Sequence, residues 1–392
     1  MRHIIALTEA GTGQHATLHI LRDQEPLLIS RWTIWPKHER LNHAPGAIPA
    51  SHGIALRQLL GIENPERWTP PAKSGGHRGR YLWTDAFGVV NLLTMHQEYV
   101  KSAGSPEGND MYLVLARRLV ETVHGVLGRT RDGNSRLPGA TDENPLGGGL
   151  RIGKMEELGP DGDGQYHHYL TVWMFALNRL SLASGDPVFN RQAVALAKAI
   201  HPRFFISTSA RPRMVWKMAM DLSRPLVASE GNLDPIDGYV IFCLLQAAAI
   251  QNNDGAVLEQ EIKDYRQVMQ RKGEHFVSSD PLDLGMTLWT AHWLSDKEDW
   301  AARLSRRCFE QVYDLFEINR YLERNIKYRL AFREFGTCLG ALCQDSEDLK
   351  VYADAIVTAW DPYMELSISA GMDPDDLRPI TRVMYASALI PG

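Results

Sequence analysis

The chain has 392 residues, of which 44% are hydrophobic and 23% are charged, and its formal net charge is -5. This composition is typical of a folded globular protein, and the small, dispersed charge argues against nucleic acid as a partner. The longest apolar run, residues 239–250, is far shorter than the ~20 residues that cross a bilayer, so we expect no membrane partner either.

The N-terminus and the cysteines bear on the cellular compartment. The chain becomes polar at Thr8 and Glu9, which is too early for the apolar region of a signal peptide. The four cysteines, at positions 243, 308, 338 and 343, match neither a disulfide framework nor a metal-binding spacing. We therefore predict a cytoplasmic protein that binds no metal and no cofactor.

The first 50 residues differ from the rest of the chain. Short apolar or β-branched runs at residues 4–7, 16–21 and 27–35 predict two or three strands, or an irregular cover. From residue 51 onward the apolar pattern has the period of helices. The sequence thus predicts an N-terminal strand or cover segment over residues 1–50 and one helical, catalytic domain over residues 51–392.

In the helical part, helices that are apolar on all sides alternate with helices that carry one apolar stripe. The stripe of residues 110–127, for example, is opposed by Arg117, Arg118 and Glu121, which indicates one face in water. The predicted pairs are 81–101 with 110–127, 165–182 with 189–204, 236–250 with 258–269, 282–294 with 300–316, 327–343 with 349–364, and 375–390 with 51–60. Six buried and six amphipathic helices predict an all-α fold, an (α/α)6 barrel of six helical hairpins.

An Asp-Pro pair opens three of the predicted buried helices, at Asp234, Asp280 and Asp373. Aspartate at the N-cap accepts hydrogen bonds from unpaired backbone N–H groups, and proline suits the first helical position. Asp237 and Asp283 follow in the first turn, where the helix dipole favours negative charge. Helix capping alone accounts for the presence of most of these aspartates at the helix starts. If the buried helices all begin at one mouth of the barrel, Asp237 and Asp283 are also catalytic candidates.

The start of the first buried helix holds Arg80, Tyr81, Trp83 and Asp85. Close aromatic rings remove water from a carboxyl group, which raises its pKa and suits Asp85 to the role of general acid. The alternative is a surface acid beside core aromatics. We predict Asp85 as a catalytic residue and the other three as substrate-binding residues.

The second buried helix opens with Tyr166, His167 and His168. Adjacent histidines point in different directions on a helix, so they cannot share a metal as an i, i+4 pair does. One of them could face the barrel funnel as a base or as a partner of a sugar hydroxyl, with Tyr166 beside it in substrate binding. The alternative is a packed, hydrogen-bonded core histidine.

A long connection over residues 129–163 precedes this helix and contains three consecutive glycines, then Arg151 and Lys154. Loops of this length inside a compact domain are usually functional or disordered. Arg151 and Lys154 could bind a carboxylate or phosphate, with the loop as a lid over the site. The alternative is a solvated loop.

Three further segments supply candidates. Residues 203–220 predict a short β-hairpin that includes Trp216, and Arg224 beyond it either pairs with Asp221 or faces the substrate. Trp289 is a second tryptophan whose ring could stack on a sugar. Glu334 follows Arg333 in the fifth buried helix, where a charged pair is costly unless it is well paired or functional, so we predict a catalytic role for Glu334.

These residues favour carbohydrate chemistry. The sequence lacks a nucleophile elbow, a dinucleotide fingerprint and a zinc-protease motif, which leaves carboxylates, histidines and aromatic side chains. Aromatic rings stack on sugars, and two carboxylates serve as acid and base across a glycosidic bond. We predict a glycosidase-like hydrolase of carbohydrate metabolism that cleaves a saccharide in the funnel, with Asp85 as acid and Asp237, Asp283 or Glu334 as its partner.

Two sequence segments carry a resemblance to known families. Trp83-Thr84-Asp85-Ala86-Phe87 resembles the Trp-x-Asp stretch that opens a buried helix in the unsaturated glucuronyl hydrolases of the six-hairpin glycosidase-like superfamily, which implies that Asp85 is the acid. Residues 91–98, from Asn91 to Glu98, resemble a segment of the acylglucosamine 2-epimerase and cellobiose epimerase group, although that group carries it further along the chain.

Several functions therefore stay open at this stage. A sugar epimerase or isomerase would use His167 or His168 for proton transfer, without bond cleavage. A lyase or cyclase on a helical toroid is a further enzyme class. A non-catalytic sugar-binding or scaffold protein is the alternative outside the enzymes.

Overall fold

The computed structural model describes three strands near the N-terminus and then residues 68–70, 75–103, 111–159, 161–206, 212–366 and 377–390. These ranges contain eleven α-helices, and strands are short and few among them, so the all-α class is confirmed. The helices are α1 (Leu82–Ala103), α2 (Met111–Leu127), α3 (His167–Ser184), α4 (Val188–Phe204), α5 (Asp234–Gln251), α6 (Glu259–Arg271), α7 (Pro281–Ala291), α8 (Asp299–Tyr313), α9 (Ala331–Leu342), α10 (Glu347–Leu366) and α11 (Arg378–Leu389).

The described strands form two separate sheets. β1 (Leu7–Glu9), β2 (Ala16–Arg22) and β3 (Glu25–Ile29) make an antiparallel sheet in the order β1-β2-β3, in which Leu18 pairs with both Leu7 and Ile29. β4 (Gln165–Tyr166) pairs with β5 (Lys217–Met218). The predicted hairpin at residues 203–220 is present as an antiparallel bridge between Phe205 and Met214. Its tip, residues 207–211, lies outside the described residues, as do residues 51–60 and the Asp-Pro pair at Asp373.

The predicted alternation of buried and amphipathic helices is present in the burial of their side chains. Trp173 and Phe175 in α3 are both fully buried although they are two residues apart, because this helix packs on all sides. In α8, Leu304 and Cys308 are buried while Arg307 is exposed, as expected for a helix with one face in water. Helices α1, α3, α5, α7 and α9 are thus buried on most sides, and the even-numbered helices cover them. Helix α11, which was predicted as a buried helix, buries only the face that carries Val383, Met384, Ser387 and Ala388.

Each odd-numbered helix packs against the next odd-numbered helix. α1 contacts α3, α3 contacts α5, α5 contacts α7, α7 contacts α9, α9 contacts α11, and α11 contacts α1. The even-numbered helices pack on this series: α2 contacts α1 and α3, α4 contacts α3 and α5, α6 contacts α5, α8 contacts α7, and α10 contacts α9 and α11. The contacts among the odd-numbered helices therefore return to their starting point.

Glycines bring α7 and α9 into backbone contact. A Cβ atom added at Gly285 of α7 would overlap the carbonyl oxygen of Gly336 in α9, and one added at Gly340 would overlap the carbonyl oxygen of Gly285. These two helices therefore approach each other more closely than side chains of ordinary size would permit.

The fifth predicted buried helix begins later than expected. Residues 327–343 were predicted as helical, but α9 begins at Ala331, because Ile326–Tyr328 forms a separate short turn. Asn325 caps that turn by accepting a hydrogen bond from the backbone N–H of Lys327. As a consequence Glu334 lies in the first turn of α9 and not in the middle of the helix. Among the helices of the described ranges, none has the length and apolar character required to cross a membrane.

Candidate functional site

A cavity of about 1050 Å³ lies where the odd-numbered helices begin. All six of these helices contribute residues of their first turn to its wall, and no residue of an even-numbered helix lines it. The helical contributions are Trp83 and Thr84 (α1), His168 and Tyr169 (α3), Asp234 (α5), Leu282 and Asp283 (α7), Phe332 and Arg333 (α9), and Pro379 and Ile380 (α11). The cavity is large enough for a small-molecule ligand.

Aromatic rings form a continuous part of this wall. Tyr166 lies between Trp216 and Tyr169, with ring centroids 5.0 Å and 5.1 Å away, and the ring of Trp83 is 5.3 Å from that of Tyr169. The hydroxyl groups of Tyr81 and Tyr169 are hydrogen-bonded at 2.8 Å. The sequence predictions of Tyr81, Trp83, Tyr166 and Trp216 as substrate-binding residues therefore refer to one surface, which offers ring faces for stacking.

His168 is held by a carboxylate of the neighbouring helix α5. Its Nδ1 atom binds the Oδ2 atom of Asp237, whose Oδ1 atom accepts a hydrogen bond from Thr290 at 2.7 Å. The other ring nitrogen, Nε2, has no hydrogen-bond partner among the described residues. Burial alone would lower the pKa of His168, but the carboxylates of Asp237, Asp234 and Asp283 outweigh it and raise the pKa above its usual value. Of this set, Asp237 contacts the histidine from behind and does not line the cavity.

His167 points away from His168, as the helix geometry predicts. Its Nε2 atom lies 2.5 Å from the hydroxyl oxygen of Tyr265, and its Nδ1 atom lies 3.3 Å from Oδ1 of Asp234. The ring is fully buried and does not line the cavity, whereas Asp234 does. His167 is therefore behind the wall, in contact with a carboxylate that belongs to the wall.

Asp283 is a carboxylate in the cavity with an altered acidity. Burial raises its pKa above the usual value, and the nearby charge of Asp280 raises it further. Ser278 donates a hydrogen bond to its Oδ2 atom at 3.2 Å, which acts in the opposite direction. Such a carboxyl group retains its proton to higher pH than an exposed aspartate, as a general acid requires.

The Asp-Pro repeat predicts a cap correctly at one of the two positions that can be compared. Asp280 caps α7, accepting hydrogen bonds from the backbone N–H groups of Leu282 and Asp283 at 3.0 Å and 3.3 Å. At α5 the N-cap is Leu233, and Asp234 lies in the first turn without a capping hydrogen bond. The prediction that Asp234 is only a cap is therefore wrong, because this side chain turns toward the cavity and His167.

Asp85 lies apart from the cavity, contrary to its predicted position. It is 3% exposed and accepts hydrogen bonds from the Arg80 guanidinium at 3.0 Å and from the backbone N–H of Tyr81 at 3.1 Å. Burial raises its pKa to about 6, while Arg80 and the backbone N–H act in the opposite direction. An acid in the first turn can bend back to its own helix end, and here that interaction removes both Asp85 and Arg80 from the cavity.

Glu334 is likewise engaged elsewhere. It is fully buried, accepts hydrogen bonds from two guanidinium nitrogens of Arg329, and accepts one from Trp360 Nε1 at 2.9 Å. The adjacent Arg333 does line the cavity and pairs with Asp280 at 2.7 Å. The two neighbours therefore have separate partners, because their side chains leave α9 in different directions.

Among the predicted loop residues, only Lys154 reaches the cavity wall. Its ammonium group lies 6.0 Å from the ring centroid of Tyr81. Arg151 is fully buried, pairs with Asp163 at 2.6 Å and donates to the carbonyl oxygens of Val126 and Arg129, so it fixes the long loop and cannot bind a ligand.

The remaining two predicted substrate-binding residues lie away from the site. Arg224 is exposed and does not line the cavity. Trp289 is 4% exposed and packs in the core, with ring centroids 4.7 Å from Phe175 and 6.2 Å from Phe87. Its indole is too deep in the helical core to meet a ligand in this cavity.

The predictions omitted several wall residues, among them Glu156, Asp161, Tyr169, Glu230, Asp234, Phe332 and Arg333. Asp234 was assigned to capping because it precedes proline. Tyr169 had a signal, since it lies one helical turn after Tyr166 and shares its face. In the described part of the chain, no group of three or more His, Cys, Asp or Glu residues is arranged to hold a metal ion.

Neither the models of known protein families nor the curated protein sequences give a match to this chain. The cavity wall contains five carboxylates, those of Glu156, Asp161, Glu230, Asp234 and Asp283, of which the last two lie in the first turns of α5 and α7. It also contains the imidazole of His168 and several aromatic rings. That arrangement can bind a polyhydroxylated molecule and transfer protons to and from it.

Proposed function

We propose that the helices form an (α/α)6 barrel. The closed series of contacts among α1, α3, α5, α7, α9 and α11 supports an inner ring, and the even-numbered helices have the burial pattern of an outer ring. In this arrangement α11 follows the last described outer helix, α10, and residues 51–60 would supply its outer partner. The cavity is then the funnel at the N-terminal mouth of the barrel.

We further propose that the chain is a hydrolase that cleaves a glycosidic bond in this funnel. The observation that carries the proposal is the presence of Asp234 and Asp283 in one aromatic-walled cavity, with the pKa of Asp283 raised. Glycoside hydrolysis needs one carboxyl group that holds a proton and one that is ionised. Asp283 would be the acid and Asp234 the base, in place of Asp85 and its predicted partners.

In this mechanism Asp283 transfers its proton to the oxygen of the departing group as the bond to the anomeric carbon breaks. Asp234 takes a proton from the water that attacks the same carbon, so the two carboxyl groups exchange protonation states. His168, with its Nε2 atom unbound among the described residues, would hold a sugar hydroxyl. The half-buried rings of Tyr166, Tyr169 and Trp216 would stack on the sugar, whereas Trp83 is 1% exposed.

The charges favour a neutral saccharide over an anionic one. Helix N-termini attract negative charge, but the first turns here already contain Asp85, Asp234, Asp237 and Asp283. The cavity wall contains five carboxylates but only two cations among its described residues, Lys154 and Arg333, and Arg333 is engaged with Asp280. Arg151, predicted as a partner of an anionic group, is engaged with Asp163. Carboxylates in the inner wall would repel a second anion.

The experiment is a screen of disaccharides and methyl glycosides of neutral hexoses and pentoses, whose departing oxygen needs a proton, with wild type, Asp283→Asn and Asp234→Asn. We expect cleavage by wild type, a loss of roughly 10²–10⁴-fold in kcat in either cavity variant, and retained turnover in the control Asp85→Asn. In water labelled with heavy oxygen, the label should appear in the released sugar. Failure to cleave any glycoside, or equal turnover by all three variants, would reject hydrolysis in this cavity.

One observation favours a second candidate, a sugar epimerase or isomerase. The imidazole of His168 lines the cavity and is oriented through Nδ1 by Asp237, while its buried Nε2 atom has no hydrogen-bond partner among the described residues. A base so placed could remove a proton from carbon and return it on the other face. Incubating free aldoses and ketoses with the protein in heavy water tests this, because epimerisation exchanges a carbon-bound proton and hydrolysis does not. Exchange that disappears in His168→Gln would identify this reaction.

A further inference from the structure

A line of three polar side chains leads from an outer helix to the cavity. Tyr265 lies on α6, His167 on α3 and Asp234 on α5. The first two are fully buried and Asp234 is 4% exposed, yet Asp234 lines the cavity. The distances are 2.5 Å between Tyr265 Oη and His167 Nε2, and 3.3 Å between His167 Nδ1 and Asp234 Oδ1.

The direction of the first hydrogen bond follows from the state of Tyr265. Burial raises the pKa of this phenol well above its usual value, and the charge of Asp234 raises it further, so the hydroxyl group keeps its proton. His167 Nε2 is the hydrogen-bond partner of that hydroxyl among the described residues. If Nε2 donated instead, the phenol proton would lack an acceptor there. Tyr265 therefore donates to Nε2, and a neutral His167 carries its proton on Nδ1.

The second contact joins two buried atoms that have no hydrogen-bond partner elsewhere in the described ranges, Nδ1 of His167 and Oδ1 of Asp234. Their separation of 3.3 Å slightly exceeds an ordinary hydrogen bond. Buried polar groups are costly unless they are paired, and contacts at reactive groups often tighten only when a ligand binds. A protonated Nδ1 facing a carboxylate oxygen is the pairing that satisfies both atoms.

We propose that Tyr265, His167 and Asp234 form a hydrogen-bonded chain that orients the Asp234 carboxylate in the cavity. Tyr265 and His167 are positioning residues, since neither lines the cavity. This hydrogen-bonded chain rests on the proposed hydrolase function only for the role of Asp234 as the base. The fixed tautomer of His167 does not depend on that function.

The packing around Tyr265 is specific to this arrangement. A Cβ atom added at Gly238 of α5 would overlap the Tyr265 ring, so the glycine is what permits the ring to reach His167.

Most charged and titratable groups that face this hydrogen-bonded chain have partners of their own. His201 pairs with Asp264, Lys272 donates to the carbonyl oxygens of Glu230 and Gly231, Glu230 pairs with Arg271, and Asp237 pairs with His168. Glu261 lies on α6 itself, and its charge acts on Tyr265.

The test compares Tyr265→Phe with a matched control, Tyr239→Phe. Tyr239 is also buried, its hydroxyl donates to Glu298 at 2.8 Å, and it does not line the cavity. Both variants thus lose one buried hydroxyl group from the same region. The first readout is the long-range proton–nitrogen correlation spectrum of the histidine rings, which separates protonated from unprotonated nitrogens, with His167→Gln to assign the signals.

We expect wild type and Tyr239→Phe to show His167 with its proton on Nδ1, and Tyr265→Phe to lose that pattern. A proton on Nε2 in wild type, or an unchanged tautomer in Tyr265→Phe, would overturn the chain whatever the protein catalyses. The second readout is turnover of the glycoside that the protein cleaves. Without the chain the Asp234 carboxylate loses its orientation, so kcat should fall on the order of tenfold in Tyr265→Phe and stay at the wild-type value in Tyr239→Phe, with little change in KM.

The two readouts separate the two proposals. If the tautomer is as expected but no glycoside is cleaved, the chain stands and the hydrolase function fails. If glycosides are cleaved and the kcat values of Tyr265→Phe and Tyr239→Phe equal that of wild type, the chain does not act on the catalytic base.

Discussion

The imidazole of His168 is bound through Nδ1 to the Oδ2 atom of Asp237, while its Nε2 atom has no hydrogen-bond partner in the described part of the chain. Asp237 is in turn fixed by the hydroxyl of Thr290 at 2.7 Å. The carboxylate of Asp237 therefore sets both the direction of the His168 ring and the affinity of the ring for a proton.

Asp237→Asn should alter both properties of His168. The carboxylate of Asp237 opposes the effect of burial and raises the pKa of His168, so the amide should lower that pKa. If neutral His168 is the reacting base, activity falls as pH drops through this pKa, and the fall should move to lower pH in the variant. We expect kcat at neutral pH to decrease on the order of 10²-fold from misorientation. An unchanged acid-side profile would show that His168 does not titrate in the reaction.

Ser278→Ala should shift the high-pH side of the activity profile, where Asp283 loses its proton. The Ser278 hydroxyl donates to the ionised carboxyl group and so lowers its pKa, in opposition to burial and to the charge of Asp280. Without this donor the pKa of Asp283 rises further. A general acid works only while protonated, so activity should persist to higher pH in Ser278→Ala and be nearly lost in Asp283→Asn. A shift of this side of the profile to lower pH would contradict the assignment of Asp283 as the acid.

Asp85→Asn should change how stability depends on pH while leaving turnover intact. Burial raises the pKa of Asp85 to about 6 from a usual value of 3.8, so its stabilising effect is full below pH 3.8 and is lost as pH rises through 6. Asparagine does not titrate, so the variant lacks this pH-dependent loss. A tenfold change in an acid constant is about 1.4 kcal/mol, so between pH 4 and pH 7 the free energy of unfolding of wild type should fall by on the order of 3 kcal/mol more than that of the variant.

The measurement is the Tm of both proteins across this pH range. Parallel curves would mean that Asp85 titrates alike in the folded and unfolded states. Loss of turnover in folded Asp85→Asn at pH 7 would show that Asp85 takes part in catalysis.

Glu334→Gln should destabilise the fold without altering the chemistry. The change leaves Arg329, which is 6% exposed, without its buried counter-charge. Breaking a buried ion pair at one partner typically costs about 3–5 kcal/mol. Glu323→Gln is the control, because that acid is exposed and its pairing with Arg320 is long, 3.6 Å, so about 0.5 kcal/mol or less is expected. Urea unfolding of the three proteins measures the difference, and equal midpoints would contradict the structural role of Glu334.

The periodic part of the sequence was sufficient to predict the helices. The buried stripe of Leu304, Cys308 and Val312 defines one face of a helix by spacing alone, and the structure shows that face buried. Caps are similarly local, and Asp280 was predicted as one because its partners are the next backbone N–H groups. Such features depend on residues within one or two turns, which the sequence displays directly.

The identity of the cavity carboxylates could not be read in the same way. Whether an acid faces the cavity depends on which side chain binds its carboxylate. Asp85 and Glu334 each meet an arginine five residues earlier in the chain, Arg80 and Arg329, which precede their helices. Asp234 is oriented by contact with His167, which is 67 residues earlier on another helix. Local pattern contains no information on the second kind of contact, so Asp85 was favoured and Asp234 was missed.

The contact of Gly285 with Gly336 and Gly340 limits how this cavity can change. α7 and α9 meet through their backbones, and their first turns bring Asp283 and Arg333 to the cavity wall. The spacing of these two helices is thus set by main-chain atoms, and an exchange of wall side chains does not alter it. Variants that accept a bulkier ligand should therefore carry their changes in the loops at residues 153–161 and 229–232, while this side of the cavity keeps its dimensions.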